Sequence, residues 1–219
     1  MSLGLSAEDV ALLTRRTEGW PAGVQLAAQS LRGYEPDGRA AFIRSFSGSD
    51  RYVINYLMEE VLQQQPPELR HFLLCTSILT RLSAPLCATV SDQPEAKASW
   101  ALHHLDDEHL FIIPLDAVGH WYRYHALFAE SLQTQLRESD PDLWNELHRR
   151  ASDWCARNGH VERAIDHALT AQDYDAAATF IEMAGERTWA TGGLAMLLTW
   201  LSTLPRPAFE GRISLRLLY

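Results

Sequence analysis

The stretch LFIIPLDAVGHWYRYHALFA, at residues 110–129, decides the fold that we predict for this chain. Two runs of β-branched and aromatic residues, 110–115 and 120–124, flank a short turn sequence, and this arrangement predicts a β-hairpin. Pro114 lacks a backbone N–H, so it restricts its strand to a sheet edge or to the last paired position. From Ala126 onward the apolar residues have helical spacing, which predicts that the hairpin leads directly into a helix.

Upstream of the hairpin the sequence predicts helices, so the expected fold class is mainly α. Apolar residues recur there at helical spacing in segments that begin at capping or first-turn residues such as Ser6, Pro21 and Pro67. Helices followed by one hairpin and another helix are typical of a winged-helix domain, which we predict over residues 49–139. Residues 1–48 are predicted to be a separate helical segment.

Downstream of the hairpin, residues 140–219 are predicted to form short helices joined by tight turns. Asp140 and Pro141 suit the start of the first of these helices. The next two helices carry small and apolar residues at matched positions sixteen apart: Val161, Ala164, Ile165 and Ala168, then Ala177, Phe180, Ile181 and Ala184. Such repetition is typical of stacked helical hairpins. The apolar run at residues 213–219 suggests that the chain is a fragment that ends within another helix.

Composition narrows the class of protein. The 219 residues are 47% hydrophobic and 21% charged, which indicates a globular chain. The net charge of −9 disfavours binding to a phosphate backbone, which requires clustered basic residues. Three cysteines without a CxxC pair indicate neither a disulfide framework nor a zinc site. The sequence lacks a secretory signal and a run long enough to span a membrane, so we expect a cytoplasmic protein.

The sequence gives no support for an independent enzyme. It contains no phosphate-binding loop, HExxH, GxSxG or GxGxxG motif, and we predict no catalytic residues. His103 and Asp107 would share one helix face, but histidines and acids near a helix end are usually solvated, so we predict no metal site. The helix expected at residues 94–109 carries one lysine and no arginine against four acidic residues, which argues against direct DNA reading.

Three segments together resemble one known family. They are TEGWPAGVQLAA at residues 17–28, WYRYHALFA at 121–129, and WCARNG at 154–159 followed by AIDHAL at 164–169. In this order they are similar to the MalT-type regulators, the large ATP-binding members of the LuxR family, which are signal-transducing ATPases of the STAND class. The resemblance covers nearly the whole chain and implies an internal fragment: the lid segment of the ATPase module, a winged helix and the start of a TPR-like sensor.

The resemblance also implies roles for individual residues. Pro21 would pack against the adenine of bound ADP, and His125 would reach its phosphates and hold the closed state. Arg123, Trp144, Leu147 and Trp154 would lie at domain interfaces. The phosphate-binding loop is absent from this sequence, so we expect no cofactor for the fragment itself, and ADP or ATP with Mg²⁺ in the full-length protein.

The expected function is regulatory coupling between inducer sensing by the helical repeats and the nucleotide state of an upstream ATPase core. The expected partners are that core and further repeats of the same chain, a small-molecule or protein inducer, and other copies of the active protein. Neither nucleic acid nor a membrane is an expected partner of the fragment. Two alternatives stay open at this point: a helical-repeat adaptor with no nucleotide link, and a DNA-binding winged helix.

Overall fold

The computed structural model describes residues 5–33, 36–108, 111–209 and Arg212. These residues are mostly helical and contain a single two-stranded sheet, which confirms the mainly α fold class. They form two compact units: Met1–Cys87 with Pro94–Ser139, and Ala88–Gln93 with Asp140–Tyr219. No helix in the described part of the chain is long and apolar enough to cross a membrane. The division into three domains stays a prediction, and residues 213–219 lie outside the described residues.

The starts of the early helices follow their capping chemistry. Ser6 accepts a hydrogen bond from the Asp9 N–H, and the Asp9 carboxylate bonds back to the Ser6 N–H, which completes a capping box. Pro21 and Pro67 are the first residues of their helices, as predicted. Up to Ser139 the elements are α1 (Ala7–Arg16), α2 (Pro21–Leu31), α3 (Pro36–Ser45), α4 (Arg51–Tyr56), α5 (Pro67–Thr76), α6 (Ala84–Ser91), α7 (Glu95–Asp107), β1 (Ile112–Pro114), β2 (Tyr122–Tyr124) and α8 (Ala126–Ser139).

A π-helical segment, Leu57–Leu62, continues α4, although the helical spacing of the apolar residues upstream of the hairpin gave no indication of a wider turn. Its hydrogen bonds reach five residues back, as in the bond from the Gln63 N–H to the Met58 carbonyl at 3.0 Å. The wider turn brings residues five apart to similar sides of the helix. Leu57 and Leu62 are accordingly both buried.

The predicted hairpin is present, with strands of three residues each. Ile112 pairs with Tyr124 and Pro114 with Tyr122, so Pro114 takes the last paired position, as predicted. The strands are shorter than the predicted runs because the Asp116 carboxylate holds the turn. It accepts hydrogen bonds from the backbone N–H groups of Val118, His120 and Trp121, and the bond from His120 is the largest cause that lowers the pKa of Asp116.

The second unit is a set of consecutive helices: α9 (Pro141–Arg157), α10 (Val161–Thr170), α11 (Tyr174–Ala190), α12 (Leu194–Thr203) and a 3₁₀ turn (Arg206–Phe209). Asp140 caps α9 and Asp173 caps α11 through their carboxylates. α10 packs against α9, α11 and α12. The predicted stripes supply the core with small side chains that let the helices approach closely: Ala164, Ile165, Ala168, Ala177 and Ile181 are fully buried. Classification of these helices as TPR-like stays a prediction.

Candidate functional site

The turn between α1 and α2 faces the hairpin of the first unit. Glu18 and Gly19 both have left-handed backbone conformations, with φ of 47° and 75°, and they reverse the chain between the two helices. The Trp20 ring then lies edge-on against Phe111, with 5.1 Å between ring centroids, and 5.9 Å from the ring of His125. The turn thus brings residues from the start of the chain to the point where the hairpin leads into α8.

A cleft of about 280 Å³ opens at this junction. Its volume is close to the lower end of the range for small-molecule sites. Its lining combines aromatic and aliphatic side chains with one carboxylate and one imidazole. The lining residues are Glu18, Gly19, Trp20, Phe111, Ile112, Ile113 and His125.

Glu18 is the centre of the polar contacts in the cleft. Its Oε1 lies 2.9 Å from Nη1 of Arg123, and its Oε2 accepts a hydrogen bond from that same nitrogen at 3.1 Å. Oε2 also accepts the N–H of Ala126, the first residue of α8, at 3.2 Å. The carboxylate therefore caps α8, where negative charge interacts favourably with the helix dipole.

These contacts decide the protonation state of Glu18. Burial favours the neutral acid, but the hydrogen bonds from Arg123 and from the Ala126 N–H, with the positive charge nearby, outweigh burial and hold the pKa of Glu18 below its usual value. Glu18 is therefore an anion at neutral pH.

His125 is the buried polar group of the cleft, with 8% of its surface exposed. Its backbone N–H bonds to the Phe111 carbonyl at 2.7 Å, but neither ring nitrogen has a hydrogen-bond partner among the described residues. The backbone of Thr17 lies near the ring without hydrogen-bond geometry, and Nε2 lies 3.5 Å from Oε2 of Glu18. Burial lowers the pKa of His125, against the opposing effect of the Glu18 charge, so the imidazole is neutral at pH 7.

The structure brings some of the predicted nucleotide-site residues together. His125 lines the cleft, and Arg123 is held at its edge by Glu18. Pro21 is exposed as the first residue of α2 and is not among the lining residues, although Trp20 before it is. The Trp20 ring covers Gly23, where a β-carbon would come within 2.5 Å of the ring. The nucleotide-contacting roles of Pro21 and His125 stay predictions.

The residues predicted for the sensor interface all lie on α9. Leu147 is fully buried and Trp144 is 8% exposed, and the Trp144 ring contacts His148 with 4.5 Å between centroids. Trp154 is half-buried and stacks on His160. Their assignment to an interface between domains stays a prediction, as does that of Arg123.

Sequence reasoning missed the part played by Glu18. The residue lies 105 positions from Arg123, and no local pattern links an acidic residue in a turn to an arginine in a distant strand. The available signal was that Arg123 is the one arginine or lysine in the predicted hairpin strands, and a charge that becomes partly buried there needs a partner.

A histidine pair occupies the second unit. Nδ1 of His148 on α9 lies 2.8 Å from Nδ1 of His167 on α10, so one imidazole donates to the other. Burial lowers the pKa of His167 to about 4, with smaller and opposed effects of the neighbouring Asp166 and Arg163 charges. Among the described residues, no three metal-ligating side chains gather at one point, and His109 lies outside the described part of the chain.

Part of this chain matches a known family model, and most of it is similar to known proteins. A family model for the MalT winged helix domain matches residues 58–144, which include α5 to α8 and the hairpin. The HTH-type transcriptional regulator MalT of Vibrio cholerae is 30% identical over 208 residues, covering 94% of this chain and 23% of that protein. MalT of Klebsiella pneumoniae is 30% identical over 170 residues, covering 77% of this chain and 18% of that protein.

A relative with a different name matches as well. The serine/threonine-protein kinase PknK of Mycobacterium tuberculosis is 34% identical over 216 residues, covering 98% of this chain and 19% of that protein. The chain thus spans about a fifth of the length of each of these relatives. Residues 58–144 therefore match the winged helix domain of MalT, in a chain whose similarity to MalT regulators extends over most of its length.

Proposed function

We propose that this chain is the regulatory coupling region of an ATP-dependent transcriptional activator. In this proposal helical repeats that begin in the second unit sense an inducer, and the winged helix transmits that signal to the nucleotide bound by an ATPase core of the same protein. The observation that carries the proposal is His125: a buried, neutral imidazole without a hydrogen-bond partner among the described residues, in a cleft beside the α1–α2 turn.

An imidazole in this state suits a phosphate contact. A neutral ring donates one N–H, and an anionic phosphate oxygen accepts a strong hydrogen bond from it. Pro21, exposed at the start of α2, would offer a flat apolar surface to the adenine of ADP. ADP or ATP with Mg²⁺ would be bound mainly by the phosphate-binding loop of the core, and a contact made only in the closed state would shift the equilibrium between states.

The relatives support a regulatory role for this segment, separate from DNA binding and from phosphate transfer. The same stretch of about 200 residues matches proteins named as an HTH-type transcriptional regulator and as a serine/threonine-protein kinase. A segment that is similar in both is better explained by regulation than by DNA binding or phosphate transfer. The match to PknK favours one second candidate, in which the same coupling region controls a kinase instead of a DNA-binding domain.

The surface of the winged helix gives little support to direct DNA binding. α7 carries a single lysine, Lys97, which lies 3.5 Å from the Glu68 carboxylate, and it carries no arginine. Arg123 on the hairpin is engaged by Glu18. A helical adaptor without a nucleotide link leaves the unpaired ring of His125 unexplained.

We further propose a cytoplasmic location, an inducer that is a small molecule or a protein, and self-association of the active full-length protein.

Replacement of His125 by alanine in the full-length protein should weaken ADP binding about tenfold, or about 1.4 kcal/mol, because the closed state loses one phosphate contact. Isothermal titration of ADP into the wild-type protein and the His125→Ala variant measures this difference. His103→Ala, which removes an exposed histidine of α7 in the same domain, is the matched control and should bind ADP like the wild type. Equal ADP affinity in all three proteins would refute the coupling role and leave the adaptor as the better explanation.

A further inference from the structure

The Glu18 carboxylate occupies a set of donors that is typical of phosphate sites. Around its two oxygens lie a guanidinium, the first N–H of a fourteen-residue helix and an imidazole, from Arg123, Ala126 and His125. Arginine and helix N-termini are the groups that bind phosphate most often in proteins. One internal carboxylate therefore takes the place that an external anion would fill.

The fit between this carboxylate and its donors is incomplete. Nε2 of His125 remains 3.5 Å from Oε2 and makes no hydrogen bond, although the histidine is more than nine-tenths buried and lines the cleft. Glu18 also reaches this position from a left-handed backbone conformation, with φ of 47°, which is unfavourable for a residue with a side chain. A phosphate group, with more acceptor oxygens, would satisfy the imidazole as well.

We propose that Glu18 is an internal competitor that blocks an anion subsite formed by Arg123, His125 and the Ala126 N–H, and that a phosphate-bearing ligand binds there only when the carboxylate leaves. The identity of the natural anion, a nucleotide phosphate, rests on the function proposed above. Displacement of Glu18 would also break the hydrogen bonds by which this carboxylate joins the α1–α2 turn to the hairpin and to the start of α8. The ligand would thereby change the contact between the lid helices and the winged helix.

Pyrophosphate is a suitable probe for the 219-residue chain. We expect Glu18→Ala to bind pyrophosphate at least tenfold more tightly than the wild type, at constant ionic strength, in a titration followed by the NMR signals of the Ala126 amide and the His125 ring. Glu18→Gly should give the same gain, and it provides a second test because glycine suits the left-handed conformation if the alanine variant folds poorly.

The chain offers a matched control in the pair of Glu182 and Arg212. Their ion pair is also 2.9 Å long and both side chains are 24% exposed. Glu182→Ala removes the carboxylate beside Arg212, which keeps its contacts with Thr179 and Asp175 and has no buried histidine next to it among the described residues. This variant should bind pyrophosphate no better than the wild type. An equal gain in this control, or no gain in either Glu18 variant, would overturn the proposal.

The two proposals fail separately. The pyrophosphate titration requires only this chain, whereas the coupling role is tested by ADP binding to the full-length protein. A gain in pyrophosphate binding together with unchanged ADP binding by His125→Ala would support the internal competitor and refute the nucleotide link. No gain in pyrophosphate binding by the Glu18 variants, together with weaker ADP binding by His125→Ala, would refute the internal competitor and support the nucleotide link.

Discussion

Replacement of Gly48 by alanine is expected to lower the free energy of unfolding of the first unit by about 3 kcal/mol. Gly48 lies between α3 and α4 and packs directly on α8. A β-carbon at this position would overlap the carbonyl oxygen of Leu127 and come within 2.6 Å of Cβ of Glu130. Both are held by a helix, so neither can move aside at low cost.

The backbone at Gly48 is also fixed by two hydrogen bonds. Its N–H donates to the Glu130 carboxylate and its carbonyl accepts from the Ser131 hydroxyl, each at 2.6 Å. Alanine must therefore either distort α8 or break bonds that satisfy buried groups. This glycine thus connects the N-terminal helices to the winged helix.

Urea denaturation followed by circular dichroism measures the effect. Gly33→Ala is the control, because the nearest atom to its β-carbon would be the Ser30 carbonyl oxygen at 3.5 Å, an ordinary contact. We expect this control to stay within about 0.5 kcal/mol of the wild type. Unfolding of Gly48→Ala at the wild-type urea concentration would contradict the close packing described for Gly48.

Acidification is expected to destabilise the second unit by about 3 kcal/mol between pH 7 and pH 4, because of His167. Histidine titrates near 6.5 in an unfolded chain, whereas burial lowers the pKa of His167 to about 4 in the folded one. Between these values the unfolded chain binds more protons, so protonation favours unfolding. Stability therefore rises with pH through this window and becomes independent of His167 above about pH 6.5.

An NMR titration of the histidine ring signals measures the pKa of His167 directly. Urea denaturation at pH 7 and pH 5 then measures the change in stability, which should be smaller in His167→Asn because asparagine does not titrate. His103→Asn serves as the control, since that ring is exposed on α7 in the other unit. An unchanged pH dependence in His167→Asn would assign the acid sensitivity to other groups.

Local chemistry determined which parts of this fold could be predicted. Prolines and capping side chains act within one helical turn, so the starts of α1, α2, α5 and α9 follow directly from the sequence. The hairpin was predicted from its composition, and Pro114 set its end. The π-helical turn at Leu57–Leu62 was not predicted, because it depends on what each leucine packs against after folding.

The candidate site was predictable only where it coincides with a sequence motif. His125 and Pro21 came from the family resemblance, and of these only His125 lines the cleft. The contacts of Glu18 with Arg123 and Ala126 join residues more than a hundred positions apart, and a single sequence can indicate that Arg123 needs a partner but not which residue that partner is. The same holds for Gly48, because the close approach of α8, which leaves no room for a side chain at this position, arises only in the folded chain.

The contact between Gly48 and α8 also has a consequence for the order of events during synthesis. Its hydrogen bonds join residues 82 and 83 positions apart, so the N-terminal helices must wait until Ser131 has left the ribosome before they can dock. The second unit is built from helices that follow one another, and each can pack on its predecessor soon after it emerges. The segment from α1 to α3 therefore keeps the surface that packs on α8 uncovered for longer than the helices of the second unit keep theirs, and this favours aggregation of that segment during synthesis.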